Sequence, residues 1–357
     1  MDRCARRGAP GEAVRYRAGA PGRGTRKDDR FEQDGMDMDA SRIQVAVVGG
    51  GTMGRDIAAT FANAGAQAHI VETFPQARAA IAERIGQTFD KLGADAAARA
   101  RYTVHDSLAG VPWPAIDIVI EAVPEQLELK RTLFRELETL ARRDTPLCSN
   151  SSAIGISKIG EGLASRDRML NTHYFMPAHL VPAVEVVSSE ATDPKVADHV
   201  CAMLRATGRV PVRVKRDIPG FLANRLQHAL SREAFWLMEQ GFCEAEDIDA
   251  AVRFGFGFRY IAAGPCLQRD HAGLEVHAAA GAEMYPHFNN SPDVSSALTD
   301  RVAANKLGMK TGEGFYQWTP ETIAAERARY EKTLAAAFQI IKAELDGKPD
   351  GKQADDQ

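Results

Sequence analysis

The chain has 357 residues, 45% hydrophobic and 26% charged, with 44 Lys and Arg against 48 Asp and Glu. That composition supports a globular core and excludes the strongly basic balance of a nucleic-acid binder. No apolar run approaches the roughly 18–20 residues that span a bilayer, so an integral membrane protein is not expected. The five cysteines stand far apart without a CxxC pair, which argues against a metal centre or disulfide framework and for a reducing, cytoplasmic setting.

The net charge of −4 conceals a basic head. Residues 1–30 hold eight Arg and one Lys against Asp2, Glu12, Asp28 and Asp29, a balance of +5 that leaves −9 for the remainder. Residues 1–40 are rich in Gly and Pro and contain neither Leu nor Ile. They are therefore read as a disordered extension, with Met36 or Met38 opening the working chain; a basic docking arm is the alternative. The stretch has neither the apolar region of a secretory signal nor the amphipathic pattern of an import signal. Truncation at Met36 is expected to leave kcat and KM unchanged, which steady-state assay of the purified protein checks.

Order begins with Ile43–Val48, a β-branched run of the kind that forms a buried strand. It enters Gly49-Gly50-Gly51-Thr52-Met53-Gly54, followed by a helix pattern from Thr52 to about Ala64 and a strand from Ala66 to Val71 that ends in Glu72. Strand, glycine turn, helix, strand and acid in that order form a dinucleotide-binding pattern. Gly49, Gly51 and Gly54 permit a tight turn, close backbone approach to a pyrophosphate and close helix packing. The helix start at Thr52 and Met53 offers N–H groups to phosphate. Glu72 lies 23 residues after Gly49, where a carboxylate would bond the ribose hydroxyls and repel a 2′-phosphate. The cofactor is therefore read as NAD and not NADP.

Further along, Ala115–Ile120 reads as a strand with Glu121-Ala122-Val123-Pro124-Glu125 as its exit loop. A helix from about Gln126 to Arg142 follows, then a short strand at Pro146–Cys148 and the polar loop Ser149-Asn150-Ser151-Ser152. Met169–Phe175 and Pro182–Val187 are further strands. Glu185 is an acid inside the second of them and needs a partner if buried, His173 being the nearest candidate. From Asp217 the pattern turns helical, with an apolar stripe through Leu222, Leu226, Ala229, Leu230, Leu237 and Met238. Helical segments follow near 244–254, 271–284, 293–305 and 320–345. The expected class is α/β, with a Rossmann-type nucleotide domain over 41–216. A smaller all-α domain over 217–345 follows, then a polar tail over 346–357.

Several motifs in this order resemble the 3-hydroxyacyl-CoA dehydrogenases, a family that includes the λ-crystallin/L-gulonate dehydrogenase and carnitine dehydrogenase branches. They are Gly49–Gly54, Glu121–Glu125, Ser149–Ser152, His173-Tyr174-Phe175-Met176-Pro177 with Val184–Val187, Pro219–Arg225, and Lys310–Tyr316. The resemblance implies NAD-dependent oxidation of a secondary alcohol, with L-3-hydroxyacyl-CoA as the leading substrate and fatty acid metabolism as the setting. It makes His173 the catalytic base, Glu185 its carboxylate partner, and Ser152 and Asn224 the contacts to the reacting oxygen. Glu125 and Lys130 fall near the nicotinamide ribose and Ala122 in the cofactor loop, with Ser152 touching cofactor as well. A homodimer formed through the helical domain is also implied. The chemistry suits the residues: a histidine titrates near working pH, and a carboxylate behind it fixes the tautomer and steadies the imidazolium.

Two departures bear on substrate. Met176 stands where acyl-CoA members carry Asn, and residues 73–114 look too short for their helical hairpin, with Lys91 the only lysine there. Small hydroxy acids of the gulonate or carnitine type, or a hydroxymethyl pyridine acid, are therefore the alternative substrates. A crystallin-like or catalytically silent NAD-binding protein is the alternative of another class. Among rival histidines, His228 shares a helix face with Asn224, while His179 and His271 have less claim. No metal, nucleic-acid or membrane partner is expected, and Cys148 is read as a small core hydrophobe.

Overall fold

The computed structural model describes residues 38–346; the rest of the expected extension and tail lies outside the described residues. The folded body starts earlier than expected. Met38 packs against the core, Asp39 accepts the Ser41 N–H at 2.9 Å, and Ala40 is buried at the head of a single 3-10 turn. Residues 38–40 thus belong to the folded body, because Met38 finds apolar surface that no local pattern announces.

Eight strands form one sheet: β1 (Gln44–Val48), β2 (Gln67–Val71), β3 (Tyr102–His105), β4 (Ile118–Glu121), β5 (Leu147–Ser149), β6 (Met169–Tyr174), β7 (Ala183–Ser188) and β8 (Val210–Val214). Their spatial order is β3-β2-β1-β4-β5-β6-β7-β8, and every neighbouring pair is parallel except β6–β7. Helices α1 (Thr52–Asn63), α2 (Ile81–Leu92), α3 (Leu127–Leu140) and α4 (Pro194–Ala206) cover the two faces. In β1, Val45 and Val47 join the cluster containing Ile57 and Phe61 of α1, while Ala46 and Val48 join the one containing Phe134 and Leu137 of α3. Burial on both faces explains why β1 reads as a continuous apolar run and not as an alternation.

The strand order turns back between β1 and β4, so the loops leaving these two strands diverge to opposite faces and leave a crevice at their carboxyl ends. Gly49–Gly51, Glu72, Glu121–Glu125 and Asn150–Ser152 all lie at that end of the sheet. This is the feature of the fold that positions the site.

Of the strands and longer helices, β3, β8, α2 and α4 had no counterpart in the sequence reading. The two strands are the sheet edges, short and only partly buried, and β8 contains Pro211. Edge strands lack the unbroken apolar signal of the interior ones. The expected helix at 271–284 is instead two, α7 (Pro265–Ala272) and α8 (Leu274–Met284) once α5 (Ala223–Glu239) and α6 (Ala245–Ala250) are counted. Gly273 divides them with φ at +91°. The chain closes with α9 (Ser296–Ala303) and α10 (Pro320–Asp346), the latter reaching back to the sheet domain through a 2.7 Å Lys91–Glu331 ion pair.

The helical part has almost no interior of its own. Among described residues from 217 to 343, Phe221, Gly281 and Ala297 are the buried ones. The apolar stripe of α5 is left uncovered, with Leu226 59% exposed and Leu222 and Leu230 exposed beside it.

Candidate active site

The antiparallel register of β6 and β7 sets His173 directly opposite Glu185. Residues in that relation share a sheet face with adjacent Cβ atoms, which is why two positions 12 apart in sequence meet. His173 Nδ1 lies 2.7 Å from Glu185 Oε2, and both side chains are buried. The other ring nitrogen, Nε2, is 3.1 Å from the Ser152 hydroxyl, which the β5 exit loop delivers. Phe175 meets the imidazole edge-on at 4.8 Å and Phe221 tilts against it at 5.8 Å, so the ring is held from its apolar sides too.

Glu185 has a second task. Its Oε1 accepts the backbone N–H groups of Leu222 and Ala223, at 2.9 and 2.8 Å, which are the free donors at the start of α5. Burial alone would raise this carboxyl. The His173 bond and the two backbone donors outweigh it and hold the group below the usual carboxylate range. One carboxylate therefore orients the imidazole and pins the helical part to the sheet. The turn that makes this possible runs through Gly220, at φ +78°, and Phe221, a non-glycine residue at φ +46°. That conformation is costly for phenylalanine and is sustained by complete burial against His173.

On the cofactor side, Gly49 takes φ +109°, and a Cβ there would stand 2.7 Å from the carbonyl carbon of Ala122. A Cβ on Gly54 would stand 1.9 Å from the Gly49 carbonyl oxygen, so helix α1 can close on the turn only without a side chain. Gly51 is the N-cap of α1 with no side-chain cap, and Thr52 and Met53 form its first turn. A Cβ on Gly51 would meet no other atom within 4 Å, so the approach to this uncapped helix start is clear. Glu72 lies beside this turn, accepting Gly50 N–H and Phe74 N–H at 3.0 Å each. An uncapped helix start with clear approach and an acid next to it fits a pyrophosphate-bridged dinucleotide with free ribose hydroxyls.

Lys130 is not exposed to this crevice: its side chain is 1% accessible. Its Nζ lies 2.6 Å from Glu121, 3.3 Å from Glu125 and 3.3 Å from the Val123 carbonyl. Glu121 is wholly buried and also accepts the Ser149 hydroxyl at 2.6 Å and the Val123 N–H at 2.7 Å. Glu125 accepts the Ser151 hydroxyl and the Ala153 N–H. Burial would raise the Glu125 carboxyl; Ser151, Lys130 and Ala153 together hold it low. The network ties the β4 and β5 exit loops together and fixes the backbone on either side of Ser152.

Glu121, Ser149 and Ser151 had no assigned role in the sequence reading. The rule that flagged Glu185 also applies to Glu121, an acid closing the apolar run Ile118–Ile120. Asn224 sits in the first turn of α5, next to Ala223, and lines a groove with His228. His179 is structural, buried with Nδ1 3.0 Å from Asp56, and His271 is exposed. Cys148 is fully buried, and burial drives its thiol far upward, which suits a packing residue. Among the described residues no cluster of three or more His, Cys, Asp or Glu could hold a metal. No described helix is long and apolar enough to cross a membrane.

A Rossmann-type sheet with an NAD turn, and a histidine–carboxylate pair beside it, define an NAD-dependent dehydrogenase acting on CH–OH groups. The 3-hydroxyacyl-CoA dehydrogenase NAD binding domain matches residues 44–218, and the C-terminal domain of the same family matches 220–318. The chain belongs to the 3-hydroxyacyl-CoA dehydrogenase family. Over 307 residues it is 33% identical to the 5-formyl-3-hydroxy-2-methylpyridine 4-carboxylate 5-dehydrogenase of Mesorhizobium japonicum, covering 84% of this chain and 98% of that one. It is 31% identical to the human mitochondrial hydroxyacyl-coenzyme A dehydrogenase over 288 residues, 77% of this chain and 90% of that one. A crystal structure of the 5-dehydrogenase, described as an NAD+-dependent dismutase, superposes with a TM-score of 0.78. It is 31% identical and covers 86% of this chain and 99% of that one.

Proposed function

We propose that the protein oxidises a hydroxyl group of a small carboxylic acid, with His173 as general base, Glu185 as its orienting carboxylate, and Ser152 and Asn224 holding the reacting oxygen. The observation that carries this reading is Glu185 bridging His173 Nδ1 and the start of α5 while Ser152 meets Nε2. With Nδ1–H donated to the carboxylate, Nε2 is the nitrogen free to take the hydroxyl proton. Ser152 bonds that oxygen as charge develops on it. Gly49, Gly51, Thr52, Met53, Gly54, Glu72, Ala122 and Glu125 would hold NAD, which when bound supplies the hydride acceptor. Lys130 serves this set through Glu125.

A small substrate is favoured over a CoA thioester by three features. After α2, where acyl-CoA members are expected to have the second arm of a helical hairpin, this chain has a single turn, Ala96–Arg99. Lys91 is engaged by Glu331 and Arg99 by Asp90, so these cations are committed within the protein. Met176, in the place of the family's asparagine, is 66% exposed and offers no hydrogen bond. The thioester reading, with its place in fatty acid metabolism, rests on the family name. A screen of NADH formation with 3-hydroxybutyryl-CoA, L-gulonate, carnitine and hydroxymethyl pyridine acids decides between them. His173→Ala is expected to lower kcat by about 10³ or more with NAD affinity intact. Near-normal turnover, or no turnover of any substrate by the parent despite NAD binding, defeats the assignment and favours the silent alternative.

The working form is proposed to be a homodimer joined through the helical part. Its uncovered stripe and nearly absent interior support this, since a helical layer needs an apolar surface to pack on. Light scattering behind size exclusion is expected to give twice the chain mass, and Leu226→Asp with Leu230→Asp to give one. Free thiols at Cys148, Cys201, Cys243 and Cys266 support a cytoplasmic setting.

A further inference from the structure

Helix α5 carries two stripes. The apolar one runs through Leu222, Leu226 and Leu230; the other, about half a turn round the helix, runs through Asn224, His228 and Arg232 at four-residue spacing. The second stripe lines a groove of about 410 Å³ with Gly220, Arg225 and Ala229. That is within the size range of small-ligand sites. No acidic residue lines it among the described residues. Arg225 is tied back to the Pro219 carbonyl at 3.3 Å. The side chains of His228 and Arg232 are exposed and make no hydrogen bond or ion pair among the described residues. Small Ala229 between them leaves the groove open.

We infer that this groove is a carboxylate subsite, with Arg232 and His228 as specificity-determining residues that bind an acid group of the substrate remote from the hydroxyl being oxidised. It rests on the proposed oxidation of a small acid and names how that acid is chosen. Asn224, which in the proposed function holds the reacting oxygen, marks the near end of the groove. His228 lies about 6 Å farther along the helix axis and Arg232 about 12 Å, with a side chain long enough to reach back. A hydroxyl and a carboxylate on opposite sides of a small ring, or three to four bonds apart on a chain, span that interval. Arginine's planar fork matches a carboxylate with two parallel bonds, and His228 adds a third donor. Sequence reading noted His228 for its spacing from Asn224 but had no reason to join Arg232 to it.

The test is calorimetric titration of the NADH-loaded enzyme with pyridine-4-carboxylate and, separately, pyridine-4-carboxamide. The parent is expected to bind the carboxylate at least about tenfold more tightly than the amide. Arg232→Gln and His228→Gln should each remove most of that preference while amide affinity stays unchanged. No preference in the parent, or a preference that survives both substitutions, overturns the subsite. So does a result in which Arg232→Gln weakens binding of free coenzyme A and not of the carboxylate, since the cation would then serve a phosphate. His173→Ala separates the two proposals: it should abolish turnover and leave the carboxylate preference intact. Carboxylate selectivity in an enzyme whose turnover survives His173→Ala would instead sink the catalytic reading alone.

Discussion

Glu185→Gln is expected to lower kcat by about 10³–10⁴ while the fold persists, because an amide cannot both fix the imidazole tautomer and offset its positive charge. The same substitution should change how stability depends on pH. Glu185 is held below the usual carboxylate range by His173 and the Leu222 and Ala223 N–H groups, against the upward push of burial. A carboxyl with a lowered folded pKa contributes stability that is fully present above its ordinary value of 4.5 and is lost as pH falls through the lowered folded value. The parent should therefore lose stability on acidification through that window, and Glu185→Gln should lose less. Urea denaturation from pH 7 to pH 3 checks the slope, and stopped-flow assay checks kcat. Equal slopes in both proteins would mean that the carboxylate is not what joins α5 to the sheet.

Lys130→Met should destabilise the protein by about 3–5 kcal/mol, the usual cost of leaving one member of a buried ion pair without its partner. Glu121 is wholly buried, and Lys130 is its nearest cation at 2.6 Å. Glu121→Gln added to Lys130→Met should recover most of that loss, since the amide oxygen can still accept the Val123 N–H without carrying charge. Thermal denaturation of the single and double variants measures both effects. If Lys130→Met instead weakens NAD binding with no change in stability, the lysine contacts the cofactor directly, as its place in the motif implied. The buried geometry predicts the opposite: loss of stability first, with any effect on catalysis arriving through Glu125 and the loop that carries Ser152.

The two positions illustrate different kinds of legibility. Gly49, Gly51, Gly54 and Glu72 could be read in order because a dinucleotide turn is local: strand, turn, helix and second strand follow one another within about thirty residues, and each demands particular residue types. The pairing of His173 with Glu185 was legible by a weaker rule, that an acid inside an apolar strand needs a partner. Glu121 satisfied the same rule, but its partners Lys130 and Ser149 lie 9 and 28 residues away, on helix α3 and at the end of strand β5. The edge strands β3 and β8 escaped notice because half-exposed strands mix polar and apolar residues without a fixed period.

By itself the sequence determined the α/β class, the NAD turn, the histidine–glutamate pair and the switch to helix after Asp217. Each is a matter of local periodicity or residue chemistry. Tertiary structure decided what those residues touch. It sealed Lys130 beneath the crevice, gave Glu185 a second duty at the start of α5, and left the Leu222–Leu226–Leu230 stripe exposed among the described residues. It also aligned Arg232 with His228 and Asn224 along one groove. The physical reason is that burial and charge pairing depend on distances in space, and strand register, helix docking and loop closure set those distances through the whole chain at once.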